Sequence, residues 1–139
     1  MGLVKAEIEI VNTDDIALCH GGYLAEDAIR RMNVTALVDT GAYMLVINEN
    51  IRTQLGLKTV DKREAVLADG TVKELDIAGP VDVRFENRTT TVRAMVLPGE
   101  LEVLLGAIPL EDMDVVVDPR RQKLLVNPDS PYLPKMSLK

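Results

Sequence analysis

Tryptophan is absent from the 139-residue chain, and Tyr23, Tyr43, Phe85 and Tyr132 are its only aromatic residues. Proteins that stack exposed bases need aromatic platforms, so that class of nucleic-acid binder is excluded. A basic excess is missing as well. Sixteen Lys and Arg stand against 22 Asp and Glu, a formal net charge of −6. Recognition of a phosphate backbone needs a basic stripe, and the expectation is no nucleic-acid partner. Cys19 is the single cysteine and His20 the single histidine, so neither an internal disulfide nor a structural zinc site has the residues it requires. No apolar run approaches the ~18 residues of a membrane-spanning helix. Met1 to Asn12 alternates polar and apolar residues, without the basic region and apolar block of a signal peptide. Gly2 follows Met1, but Ala6 stands where a myristoylation motif carries Ser or Thr. The expected protein is soluble and cytoplasmic, with no membrane partner.

What the chain does have is an apolar share of 47%, enough for one modest core. Val, Ile, Leu and Thr recur in short runs punctuated by Gly and Pro, which predicts an all-β chain of many short strands. Leu3 to Val11 alternates as a half-buried strand does. Asn12 to Tyr23, with Gly21-Gly22, reads as a loop. A strand begins near Ile29 and runs through Val38. Met44 to Ile47 is a second apolar run. Asn48 caps a short helix that Gly56 ends. Lys58–Ala68 and Thr71–Ile77 flank Asp69-Gly70, a strong hairpin signal. Gly79-Pro80 breaks the chain, and Val81–Phe85 and Thr89–Leu97 form a second hairpin around Glu86-Asn87. Leu101–Leu105 is apolar, Pro109–Met113 suits a short helix, and Asp114–Val117 and Lys123–Val126 bracket a turn. Residues 1–127 make one domain, and 128–139, with three prolines and no apolar period, make a flexible C-terminal tail.

The sharpest feature is Val34-Thr35-Ala36-Leu37-Val38-Asp39-Thr40-Gly41-Ala42, an apolar strand running straight into an acid. Burying a lone carboxylate costs several kcal/mol unless it is neutral, hydrogen-bonded or paired. Gly41 suits a turn whose N–H approaches that carboxylate. Thr40 supplies a hydroxyl able to bond a neighbouring loop, and Ala42 leaves room beside the acid. Val103-Leu104-Leu105-Gly106 follows 67 residues later, with the Asp69-Gly70 hairpin between.

From Val34 to Val126 this arrangement resembles the retroviral-type (retropepsin-like) aspartic proteases of clan AA, in particular their small prokaryotic branch. The resemblance implies a closed β-barrel-like fold with one or two short helices, working as a homodimer on peptide or protein substrates without metal or cofactor. It implies that Asp39 is catalytic, that Thr40 cross-bonds the two active-site loops, and that Gly41 lies against substrate. Ala42 and Tyr43 would border the substrate, and Ala68, Asp69, Gly70 and Thr71 would form a flap over it. Leu104, Leu105 and Gly106 would pack behind the catalytic loop. The sequence departs from the retroviral pattern at Tyr43, where an acid usually binds substrate backbone. It departs again at Ala107, where Arg or Asn often follows the glycine. Asp114 to Val126 reads as a hairpin instead of one terminal strand.

The chemistry agrees with a dimer. Two carboxylates about 3 Å apart share one proton, so the pair holds an acid and a base at once. The base activates water and the acid protonates the scissile carbonyl. One Asp-Thr-Gly per chain requires two chains about a twofold axis. Two other readings stand beside this one: a non-catalytic dimeric peptide-binding module of the same fold, and a small monomeric β-barrel with a chance Asp-Thr-Gly. Cys19-His20 has the types of a nucleophile and a base, but adjacent residues on an extended segment point apart.

Overall fold

The structure, a computed structural model, describes residues 3–99 and 101–138. Met1 and Gly2, and with them the myristoylation comparison, lie outside the described residues, as do Glu100 and Lys139. The first strand, β1 (Lys5–Asn12), alternates as its sequence requires: Ala6, Ile8 and Ile10 are buried while Lys5 and Glu7 face solvent. It pairs antiparallel with β2 (Arg31–Val38). Between them the expected loop is corrected. Thr13–His20 is a helix, α1, and a single 3₁₀ turn at Glu26–Ala28 leads into β2.

The helix has no apolar stripe to announce it, and its one buried residue is Asp15. Two polar devices hold it instead. The Asn12 side chain caps it by accepting the Asp15 N–H at 3.0 Å. The Asp15 carboxylate then accepts from Arg30 Nε and Nη2, both at 2.9 Å, and from the Arg30 backbone N–H at 3.0 Å. These hydrogen bonds to the guanidinium hold the Asp15 carboxyl below its ordinary range. Cys19 and His20 therefore sit in a helix, not on an extended segment. Neighbouring helical residues do not face one another either, and the Cys19 thiol is engaged with Glu26 Oε2 at 3.6 Å.

β3 (Leu45–Asn48) leads into α2 (Glu49–Leu55), which Asn48 Oδ1 caps by accepting the Ile51 N–H at 2.9 Å and which Gly56 ends, as the sequence predicts. β4 (Thr59–Val66) and β5 (Val72–Phe85) form the first hairpin. The expected break at Gly79-Pro80 is not a break. β5 runs 14 residues through it, with a register shift between Ala78 and Val81 that absorbs the missing proline N–H. β6 (Arg88–Leu97) returns antiparallel to β5. Then follow β7 (Val103–Leu105), α3 (Ala107–Met113), and a hairpin of β8 (Val115–Asp118) and β9 (Lys123–Val126).

The strands join in the order β1-β2-β7-β3-β6-β5-β4, and β1 also pairs with β5. Six strands therefore close into a mixed barrel, and β4 stands outside it against β5. Ile10, Leu45, Ile47, Val81, Val83, Ala94 and Leu105 fill the interior, and α2 and α3 cover the barrel with Leu55 and Met113. Together they bury enough apolar surface to hold a single core, at about 25 cal/mol per Å² removed from water. This is the mostly-β retropepsin fold that the resemblance implies, with three short helices where one or two were expected.

Among the described residues beyond Asn127 there is no regular element, but the segment is pinned. Asp114, at the left-handed end of α3, accepts from Asn127 Nδ2 at 3.0 Å, Ser130 Oγ at 2.5 Å and the Lys135 N–H at 2.9 Å. The fully buried Arg88 donates to the Ser130 carbonyl and lies 3.9 Å from Asp114. These hydrogen bonds, that from Asn127 first, lower the Asp114 carboxyl from 3.8 to about 2. A depressed carboxyl stabilises the fold above its unfolded value and stops doing so as the pH falls through its folded value. Melting temperatures of the wild type should therefore fall more steeply from pH 3.8 to 2 than those of Asp114→Asn. The variant should already melt lower at neutral pH. Parallel curves for the two proteins would remove Asp114 as the cause.

Candidate active site

β2 ends at Val38, and Asp39 begins a tight loop. Its backbone N–H donates to the Leu105 carbonyl at 3.1 Å, continuing the parallel ladder in which Leu37 pairs with Leu104 and Val38 with Leu105. The ladder therefore fixes where the carboxylate starts. The side chain is then oriented locally: Asp39 Oδ1 accepts the Gly41 N–H at 3.0 Å, and the Ala42 N–H donates to the Asp39 carbonyl at 3.1 Å. A Cβ on Gly41 would stand 3.3 Å from that carboxylate oxygen, tighter than ordinary packing. The acid is half-buried, while Thr40 and Gly41 are exposed.

The far side of the loop is held by the segment after β7. Ala107 and Ile108, the first residues of α3, donate their backbone N–H groups to the carbonyls of Ala42 (2.8 Å) and Tyr43 (3.0 Å). Helix starts leave such donors free, and here they serve as fixed pegs for the loop. Gly106 is what lets the two backbones meet. A Cβ there would fall 2.3 Å from the Met44 carbonyl oxygen and 2.8 Å from that of Ala42. The structure thus brings Asp39, Thr40, Gly41, Ala42 and Tyr43 together with Leu104, Leu105 and Gly106. The support runs through main chain, so Ala107 can stand where a polar side chain was looked for.

Ala68, Asp69, Gly70 and Thr71 sit apart from that assembly. They turn the β4–β5 hairpin, which is exposed along most of β4 and the start of β5. The Gly70 N–H donates to the Leu67 carbonyl at 2.9 Å and the Leu67 N–H to the Thr71 carbonyl at 2.8 Å. Gly70 has φ +84°, a left-handed conformation that closes this three-residue loop without strain. Asp69 accepts from both the Thr71 hydroxyl (2.6 Å) and its N–H (3.0 Å), and these bonds lower its pKa.

Two cavities flank the loop. One, of about 500 Å³, is bordered by Leu3, Leu37, Val38, Thr40, Val117 and Pro119, with Asp39 in its wall. The other, of about 390 Å³, lies on the Tyr43 side and is reached by Arg63 of β4 and Arg93 of β6. Sequence reasoning had named Tyr43 but neither arginine. Their convergence depends on strand pairing across the barrel, although the alternation of β4 places Asp61 and Arg63 on one face. Among the described residues, no three His, Cys, Asp or Glu side chains gather as a metal site would need, and no helix is long and apolar enough to cross a membrane.

No curated protein matches the chain. The sequence model of the family described as gag-polyprotein putative aspartyl protease matches residues 27–119, from the 3₁₀ turn through the loop of Asp39 to the end of β8. That is more than half of the chain, and the protein belongs to this family of retropepsin-like aspartyl proteases.

Proposed function

We propose that the protein is a homodimeric aspartic endopeptidase in which Asp39 of each subunit supplies half of a carboxylate dyad. One observation carries the reading. A half-buried acid, followed directly by Thr-Gly, is held on a main-chain-braced loop whose next two residues are open to solvent. A loop so rigid at its back and so open at its front suits apposition to a second copy. With the two carboxylates in contact, one holds a proton and the other draws one from water. Water then attacks the peptide carbonyl without a covalent intermediate. In this reading Thr40, exposed beside Asp39, bonds across the axis, and the Ala68–Thr71 turn is the flap that covers the substrate.

The deciding experiment is incubation with a mixed peptide library from acidic to neutral pH, with and without a pepstatin-like transition-state analogue, alongside sedimentation. Cleavage that the analogue blocks, by a species of twice the chain mass, is the expected result. A monomer that cleaves nothing would refute it. The flap gives a separate check. Amide exchange over residues 66–72 should be fast in the free protein, because the hairpin packs little apolar surface, and should slow when the analogue binds. Equal exchange in the two states would remove the flap from the reading.

A further inference from the structure

We infer that the cavity at Tyr43 is a cationic specificity pocket that takes a carboxylate side chain of the bound peptide. The inference rests on the peptidase reading for the identity of its ligand. The cavity holds about 390 Å³, room for one side chain, and its floor is apolar, with Met44, Pro80 and Ile108 among its lining residues. Its charge is of one kind. Arg63 and Arg93 both line it. Arg93 is paired with Asp61 at 3.5 Å. Among the described residues no carboxylate lies within ion-pair distance of Arg63, unlike Lys62 beside it, which reaches Glu74 and Asp76. β4 therefore presents two faces of different character. Lys62 is neutralised on one, while Arg63, on the other, meets the cavity with its charge unspent.

The position ties this pocket to the peptide. Tyr43 is the second residue after Gly41, and its carbonyl is one of the two that α3 holds. Arg63 belongs to the strand that leads up to the Ala68–Thr71 turn. A peptide lying between the loop of Asp39 and that hairpin runs past this cavity at one end. The resemblance places an acid at Tyr43 in the retroviral proteases, so this chain has a neutral aromatic there and adds two guanidiniums nearby. A planar guanidinium over an apolar floor favours Glu or Asp in the peptide, with the side-chain methylenes against Met44 and Ile108. The chain as a whole carries a net charge of −6, which repels acidic peptides. A preference for acid at one peptide position must therefore come from a local site.

The test uses acetylated, amidated peptides that differ only in Glu, Gln or Lys at one position, stepped along the sequence, so that no terminal charge competes. Binding is read by fluorescence anisotropy on the Asp39→Asn variant, and cleavage on the intact protein. At one position, off the scissile bond, Glu should bind about tenfold tighter than Gln, the scale of one hydrogen-bonded charge pair. Arg63→Ala should erase that difference and Arg63→Glu should turn it toward Lys. Arg63 is exposed, so neither change threatens the fold. Equal binding of all three peptides at every position, or a Glu preference that survives Arg63→Ala, would overturn the inference. Cleavage without charge preference defeats the pocket alone. Charge-selective binding without any cleavage supports the pocket and defeats the peptidase reading alone.

Discussion

Asp39→Asn should bring peptide hydrolysis to background while leaving the dimer assembled. The amide has the size of the carboxylate and still offers an oxygen to the Gly41 N–H, so the loop keeps its shape. What disappears is the ionisable group. In a homodimer one substitution removes both carboxylates, so the acid and the base go together, and neither role has a substitute nearby. General acid–base catalysis is typically worth about 10²–10⁴-fold, and here both halves are lost. Sedimentation should show the dimer unchanged or tighter, because two close carboxylates repel whenever both are ionised. Initial rates on a cleaved library peptide decide the matter. A near wild-type rate for the variant would end the protease assignment, whereas peptide binding by a wild type that never cuts would leave a binding module.

The second large effect belongs to Gly106→Ala. The φ of −89° at this position suits any residue, so the demand for glycine is purely one of space. The added methyl would fall 2.3 Å from the Met44 carbonyl oxygen and 2.8 Å from that of Ala42. Both are backbone atoms and cannot swing aside as a side chain would. The loop and the start of α3 must separate, which stretches the bonds from Ala107 and Ile108 that hold it. Overpacking of this kind costs about 1–3 kcal/mol, and the upper end is expected where main chain resists. Activity should suffer beyond the stability loss, since a displacement of about 1 Å at a catalytic group can cost about 10²-fold. Urea midpoints and initial rates on the same variant separate the two. An unchanged midpoint would show that the contact relaxes freely and that Gly106 is not the spacer described.

The site was readable because its parts are local. Asp39 through Ala42 are consecutive, and a turn that needs a short acid and a glycine announces itself. The helix after Asn48 was equally plain, with a cap at each end. The hairpins at Asp69-Gly70 and Glu86-Asn87 carried their own turn residues. What stayed hidden depends on partners far along the chain. α1 looks like a loop because its only buried side chain is charged, and the Arg30 that neutralises it lies fifteen residues away. Pro80 reads as a stop because nothing local shows that a bulge would absorb it. The segment after Asn127 reads as loose because Arg88 and Asp114, which fasten it, are remote in sequence. Arg63 and Arg93 look like ordinary surface charge until β5 sets their strands on either side of it.

β7 has a consequence for the order of events during synthesis. Three residues, Val103–Leu105, lie between β2 and β3, pairing parallel with one and antiparallel with the other. Until they leave the ribosome, β2 and β3 have no neighbour in common, the barrel is open, and the loop of Asp39 lacks the pegs that α3 provides. Contacts of such long sequence separation slow folding, and the open strand edges are prone to association meanwhile. A nascent chain that ends before Val103 therefore has neither the strand that joins β2 to β3 nor the donors that brace the loop of Asp39. On the proposed peptidase function, cutting power would wait for β7 and the start of α3 to emerge, a delay that spares the ribosome-bound chain and its neighbours.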